Sequence, residues 1–140
     1  MPIHGKEFEV EVEGYSGMTD ITSLVKRVVA ESGLSKGLIN VFAIGSTASV
    51  TTTEYEPALS EDMKEKLDDL VPHNWQSRHS KTWGDDNGFS HIRASLIGPS
   101  VTLPLHEGEP LLGTWQQVVV INHDNRDRVR RVFIQIIGKL

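Results

Sequence analysis

The run Glu7–Glu13 reads EFEVEVE, a strict alternation of polar and apolar residues. An extended strand sends successive side chains to opposite faces, so this run fits a β-strand with one buried face. Behind it the period changes. In Thr19–Gly33, TDITSLVKRVVAESG, the apolar residues Ile21, Leu24, Val25, Val28 and Val29 recur at the spacing of one face of a helix. Asp20 or Thr19 can cap the start of that helix, and Gly33 suits the left-handed residue beyond its end.

From Gly37 the chain turns to strand again: GLINVFAIG to Gly45, then ASVTTTEY over Ala48–Tyr55. The β-branched content of the second run supports a strand with Ala48, Val50, Thr52 and Glu54 on one face. A second helix is predicted over Glu61–Val71, capped by Ser60, buried through Met63, Leu67 and Leu70, and stopped by Pro72. A long polar connection follows, His73–Gly88, well beyond the usual loop of about 4–6 residues. Its two tryptophans and two histidines argue for function rather than disorder. A short helix is expected over Phe89–Gly98. The last third reads as antiparallel sheet: Ser100–Leu105, Leu111–His123, the turn Asp124–Asp127, and Arg128–Gly138. No repeat, low-complexity segment or linker interrupts the chain, which reads as one α+β domain over 1–140.

Several functions are excluded or disfavoured by composition. There is no cysteine among the 140 residues, which removes disulfides, thiolate metal sites and cysteine nucleophiles. The net charge of −5 disfavours nonspecific nucleic-acid binding, and no apolar run approaches the roughly 18 residues needed to span a bilayer. MPIHGKEFEV lacks the apolar core of a signal peptide, so a cytoplasmic location is expected.

Chemistry points first to the stretch from His79 to His91, where His79, Asp85, Asp86, Asn87 and His91 fall close together. A loop folding back on a helix can bring the two imidazoles together, with a carboxylate completing a divalent-metal site. The spacing is no established metal signature, and Asp85, Asp86 and Asn87 are equally good turn and N-cap residues. The helix start near Ser90 offers free N–H groups to an anion, with Arg93 close by and Arg78 and Lys81 adding positive charge. Gly45-Ser46-Thr47-Ala48 either lets a ligand approach the backbone or is an ordinary turn. Glu54 is a metal ligand, base or ion-pair member if buried, and a solvated residue if it ends its strand. Trp115 is either core or the wall of a pocket. Ser46, Thr47 and Ser49 lack any nucleophile-elbow pattern, which disfavours a serine hydrolase.

The run from Asn87 to Gly138, NGFSHIRASLIGPSVTLPLHEGEPLLGTWQQVVVINHDNRDRVRRVFIQIIG, resembles the YjbQ-like family, whose members are named secondary thiamine-phosphate synthase family proteins. The His91 segment, the SLIGPS turn, LGTWQ and the closing VFIQIIG carry the resemblance. Upstream, GSTASVTTTEYEP is similar to the family's hydroxyl-rich segment followed by glutamate. The resemblance implies an antiparallel β-sandwich-like core flanked by two to three helices. It also implies a homotrimer with a polar pocket near its subunit interfaces. It matches His79, His91 and Glu54 to family residues. Many relatives have a third histidine where this chain has Gly45, so the resemblance implies either that this chain has lost that ligand or that it has a remodelled site in which a His79–Asp86–His91 set, with or without Glu54, replaces it.

The activity so implied joins a pyrimidinylmethyl diphosphate to a thiazole phosphate with loss of pyrophosphate. That chemistry needs charge neutralisation on the leaving group. The catalytic candidates are Glu54, His79 and His91. A divalent ion (zinc, nickel, manganese or magnesium) would sit on His79, Asp86 and His91, with Ser46, Thr47 and Arg93 on phosphate and Trp115 against a ring. The alternatives are a protein that binds a metal or a small phosphorylated ligand without turnover, and a metal-dependent hydrolase of a small phosphorylated compound.

Overall fold

The alternation at the N-terminus becomes β1 (Ile3–Val12), which turns Phe8, Val10 and Val12 inward and Glu7, Glu9 and Glu11 outward. It pairs antiparallel with the last strand, β8 (Arg128–Lys139), along its whole length, from Ile3 opposite Ile137 to Val12 opposite Arg128. The computed structural model describes all 140 residues. After β1 come β2 (Gly17–Asp20), α1 (Thr22–Ser32), β3 (Lys36–Ile44), β4 (Ala48–Thr53), α2 (Pro57–Leu70), α3 (Arg78–Trp83) and α4 (Gly88–Ile97). The chain then forms β5 (Ser100–His106), β6 (Glu109–Pro110) and β7 (Gln117–Asn122) before β8.

Two antiparallel sheets result, one in the order β1-β8-β3-β5-β6 and one in the order β2-β7-β4. Their facing side chains and the apolar stripe of α1 make one core. Val41, Ala43, Val132 and Ile134 come from the larger sheet, Ala48, Val50, Val118 and Val120 from the smaller, and Val25, Val28 and Val29 from the helix. The fold is therefore α+β, with antiparallel sheets and four helices.

Local chemistry explains where the elements begin and end. The carboxylate of Asp20 accepts from the Thr22 N–H (2.9 Å) and hydroxyl (2.6 Å), and Gly33 closes α1 at φ 68°. Helix α2 starts at Pro57, four residues before the expected Glu61. Glu56, not Ser60, caps it, accepting from the N–H groups of Ala58 (3.0 Å) and Leu59 (2.8 Å). Proline suits that first helical position because its missing N–H would have been unpaired anyway. Leu67 is buried as expected, but Leu70 is 74% exposed.

Two further differences matter for the site. The long polar connection contains α3, capped by Ser77, whose Oγ accepts from the Ser80 N–H at 3.0 Å, and closed by Gly84 at φ 69°. The strand expected over Leu111–His123 is β7 alone, Gln117–Asn122. Leu111–Gln116 forms a loop in which Gln116 bonds back to Gly113 through its N–H (3.1 Å) and accepts from the Gly113 N–H through its side chain (3.0 Å).

Candidate functional site

Glycine 88 is what lets α3 and α4 meet. A Cβ there would overlap Ser77 Oγ and stand 3.3 Å from the Cβ of His79. With no side chain in the way, α4 begins directly against the start of α3. The Ser77 hydroxyl donates to Ser80 Oγ (2.9 Å), which in turn accepts from the Gly88 N–H (3.3 Å).

This packing sets the rings of His79 and His91 side by side, with centroids 4.6 Å apart and planes tilted by 46°. Both residues are half-buried. Nδ1 of His79 stands 3.2 Å from Asp85 Oδ1, yet the two are not aligned for a hydrogen bond, and this buried nitrogen has no other partner. The Asn87 side-chain amide lies between carboxylates, one end 3.0 Å from Asp85 Oδ1 and the other 3.3 Å from Asp124 Oδ1.

The structure thus brings His79 and His91 together and replaces Asp86 by its neighbour. Asp86 is exposed and takes the left-handed conformation (φ 55°), while Asp85 carries the carboxylate beside His79. No three His, Asp or Glu side chains of the chain converge on one point, so the pair and Asp85 form an open, incomplete donor set.

The other expected site residues are dispersed. Glu54 lies one residue past the end of β4 and is exposed, the solvated alternative. Trp115 is 73% exposed on the loop before β7, neither core nor the wall of an enclosed pocket. Ser46 is exposed, whereas Thr47 is buried and accepts at Oγ1 from Arg130 (2.6 Å). Arg93 is not at the surface for phosphate: only 1% is exposed. Nε and Nη2 donate to the Val71 carbonyl (3.0 and 2.8 Å), Nη2 also to Asp68 (3.0 Å), and Nη1 to Ser16 Oγ (3.0 Å). Its guanidinium also lies over the Phe89 ring, 4.8 Å from the centroid.

A buried polar network escaped the sequence reading. Fully buried His123 sits between two serines, Nδ1 2.7 Å from Ser16 Oγ and Nε2 3.0 Å from Ser49 Oγ. Because Arg93 donates to Ser16, the Ser16 hydroxyl donates onward to Nδ1. Nε2–H then donates to Ser49, whose hydroxyl donates to the Ala94 carbonyl (3.4 Å). Burial, reinforced by the charges of Arg93 and Arg130, pushes the His123 imidazole down to about 3, so it is neutral. Burial alone would raise Asp124, but hydrogen bonds from the Asn125 N–H and Asn87 and the charge and hydrogen bond of Arg128 hold its carboxyl below the ordinary range. Arg130 carried the one sequence signal available. It falls in the apolar phase of β8, in step with Val132, Ile134 and Ile136.

A cavity of about 550 Å³ lies apart from the histidine pair, lined by Tyr15, Lys64, Asp68, His73 and Arg93 among others. No helix is long and apolar enough to cross a membrane.

An α+β arrangement of two antiparallel sheets, with a histidine pair held between two short helices, defines the class of protein. The chain belongs to the UPF0047 YjbQ-like family, whose model matches residues 6–139. It is 34% identical to the UPF0047 protein of Methanothermobacter thermautotrophicus, over 99% of this chain and 95% of that one. Its fold is similar to the crystal structure of a YbjQ-like protein from Sulfolobus solfataricus (TM-score 0.92, 27% identity, 99% of each chain). It is also similar to that of a YjbQ/UPF0047 family protein from Clostridium acetobutylicum (TM-score 0.86, 34% identity, 94% of this chain and 99% of that one).

Proposed function

We propose that this protein is a cytoplasmic, homotrimeric enzyme of small phosphorylated molecules, with its reaction centre at His79, His91 and Asp85. The transfer of a thiamine-phosphate synthase, in which a pyrimidinylmethyl group leaves pyrophosphate and joins a thiazole phosphate, is the reading adopted for its chemistry.

The observation that carries this reading is the orphaned Nδ1 of His79. A buried ring nitrogen without a hydrogen bond costs stability unless something occupies it. It faces a carboxylate oxygen at 3.2 Å, and the second imidazole stands alongside. Two imidazoles and a neighbouring carboxylate are donor types that zinc, nickel, manganese or magnesium accepts in differing degrees, and the three would have to draw closer to share one ion. A divalent ion held there would supply charge neutralisation on the leaving phosphates.

The chain's own residues do the rest. Gly88 fixes the two histidines by letting the helices touch, and the main-chain N–H of Asn87 donates to the Asp85 carboxylate (3.4 Å). Ser46, exposed on its turn, is free to meet phosphate. Arg93 acts from below, anchoring α4 to the end of α2 and to Ser16 just before β2 rather than touching the ligand. The donor set is open because the trimer, in this reading, places a neighbouring copy or the ligand on the unfilled side.

Metal analysis of the purified protein beside His91→Ala tests the centre, with loss of bound metal in the variant expected. Thermal shifts with thiamine precursors and pyrophosphate test the chemistry. Stabilisation by pyrophosphate and the pyrimidine diphosphate is expected, and no shift with any of them would remove the synthase reading.

A further inference from the structure

Arg130 points inward from β8, and only 7% of it is exposed. A buried guanidinium calls for an anion or a full set of acceptors. This one has neither. Nε and Nη2 donate to Asn122 Oδ1, and Nη2 also reaches the carbonyl (3.1 Å) and hydroxyl (2.6 Å) of Thr47, all of them neutral. The nearby carboxylate of Asp124 is taken by Arg128 at 2.6 Å. Burial and the like charge of Arg128 work against the charge on Arg130, and the nearby Asp124 carboxylate offsets them only in part. Nη1 makes no hydrogen bond within the chain.

That free nitrogen lies against the main chain of the turn between β3 and β4. It lies 3.2 Å from where a Cβ on Gly45 would stand, and Gly45 is exposed at the start of the turn between β3 and β4. The main-chain N–H groups of Gly45, Ser46 and Thr47 donate to no backbone carbonyl. A cavity of about 190 Å³ opens beside the turn, lined by Gly45, Ser46 and Ala48 on one side and Ala94, Ser95 and Pro99 on the other. No carboxylate lines it. Ser95 sits one helical turn beyond His91 and donates to its carbonyl at 2.8 Å, so the cavity lies one turn of α4 from His91.

We propose that Nη1 of Arg130, the Gly45–Thr47 N–H groups and the Ser46 hydroxyl form an oxyanion site for the phosphate of a small phosphorylated ligand. The ligand extends from there along α4 toward His91. The direction of the ligand rests on the proposed function; the anion site itself does not. Unpaired donors on one short turn beside an incompletely compensated buried charge favour an anionic group, and a cavity of this size suits one phosphoryl group. Glycine at position 45 keeps the way to Nη1 open.

Calorimetric titration of the full chain with inorganic phosphate and with pyrophosphate tests this, comparing wild type, Gly45→Asp, Arg130→Gln and His91→Ala. The wild type is expected to bind saturably. Gly45→Asp places a carboxylate against Nη1, so phosphate affinity should fall at least tenfold while the melting temperature holds or rises. Arg130→Gln should lose binding too, and Gly45→Asp keeps the test decisive if that variant fails to fold. In chelator-treated, metal-free protein, where the histidine pair has no ion to offer phosphate, His91→Ala should bind inorganic phosphate like the wild type. The absence of saturable binding by the wild type, or unchanged affinity in Gly45→Asp, overturns the site. Loss of phosphate binding in His91→Ala alone overturns it as well, by moving the anion to the histidine pair. A wild type that binds phosphate but holds no metal at His79 and His91 defeats the proposed reaction centre and leaves the anion site standing.

Discussion

Ser77 occupies the space into which any side chain at Gly88 would grow, its Cβ only 2.7 Å from the ideal Cβ position. This contact docks α3 on α4 and so sets the spacing of His79 and His91. Gly88→Ala must push the helices apart. The expected cost is about 1–3 kcal/mol, the range of an overpacked interior, read as a lower midpoint in denaturant unfolding. Binding of any ligand that needs both imidazoles should weaken with it. Wild-type stability in this variant would show that the helices are not held by that contact.

His123 makes stability depend on pH. Its imidazole titrates near 6.5 in the unfolded chain and at about 3 in the folded protein, so below pH 6.5 the unfolded state binds the extra proton. The contribution is fully present above 6.5 and is lost as pH falls toward 3. Between pH 7 and pH 4.5 about 2–3 kcal/mol should disappear, a window above the ordinary range of the depressed carboxylates Asp68 and Asp124. Urea unfolding at the two pH values, compared with His123→Gln, measures it. The variant should be less stable at pH 7 and flatter with pH, and an equal slope in both proteins would contradict the assignment.

Arg93 is expected to matter for folding rather than for ligand affinity. Lysine keeps the charge but cannot serve Val71, Asp68 and Ser16 together. Arg93→Lys should cost about 2–4 kcal/mol, as when a buried, hydrogen-bonded charge loses its partners. Phosphate affinity per folded molecule should stay unchanged. A stable variant with weakened phosphate binding would return Arg93 to the ligand site.

Trp115 offers a contrast, since it is mostly exposed. Trp115→Ala should change stability by no more than about 0.5 kcal/mol. If the ring of a bound ligand packs on it, the same variant loses affinity for aromatic ligands and keeps that for inorganic phosphate.

The parts of this fold legible in the sequence are those whose side chains repeat with a period. Phe8, Val10 and Val12 marked β1, and Val25, Val28 and Val29 marked the buried face of α1. Helix α3 was hidden because Arg78–Trp83 is six residues long, too short for a period, and is defined by its Ser77 cap and Gly84 close. The histidine pair was legible from the polar stretch that carries it. The choice between Asp85 and Asp86 was not, because it turns on one left-handed backbone angle at Asp86. Arg93 looked like a surface residue because its partners Ser16, Asp68 and Val71 come from two other segments of the chain.

That one-residue shift also gives the most direct test of the reaction centre. Metal content should be measured after equilibration with zinc, nickel or manganese and desalting, for the wild type, Asp85→Asn and Asp86→Asn. With His79, His91 and Asp85 as the donors, Asp85→Asn loses the bound ion and Asp86→Asn keeps it at the wild-type level. Equal metal content in the two variants, or loss in Asp86→Asn alone, would contradict a centre built on Asp85.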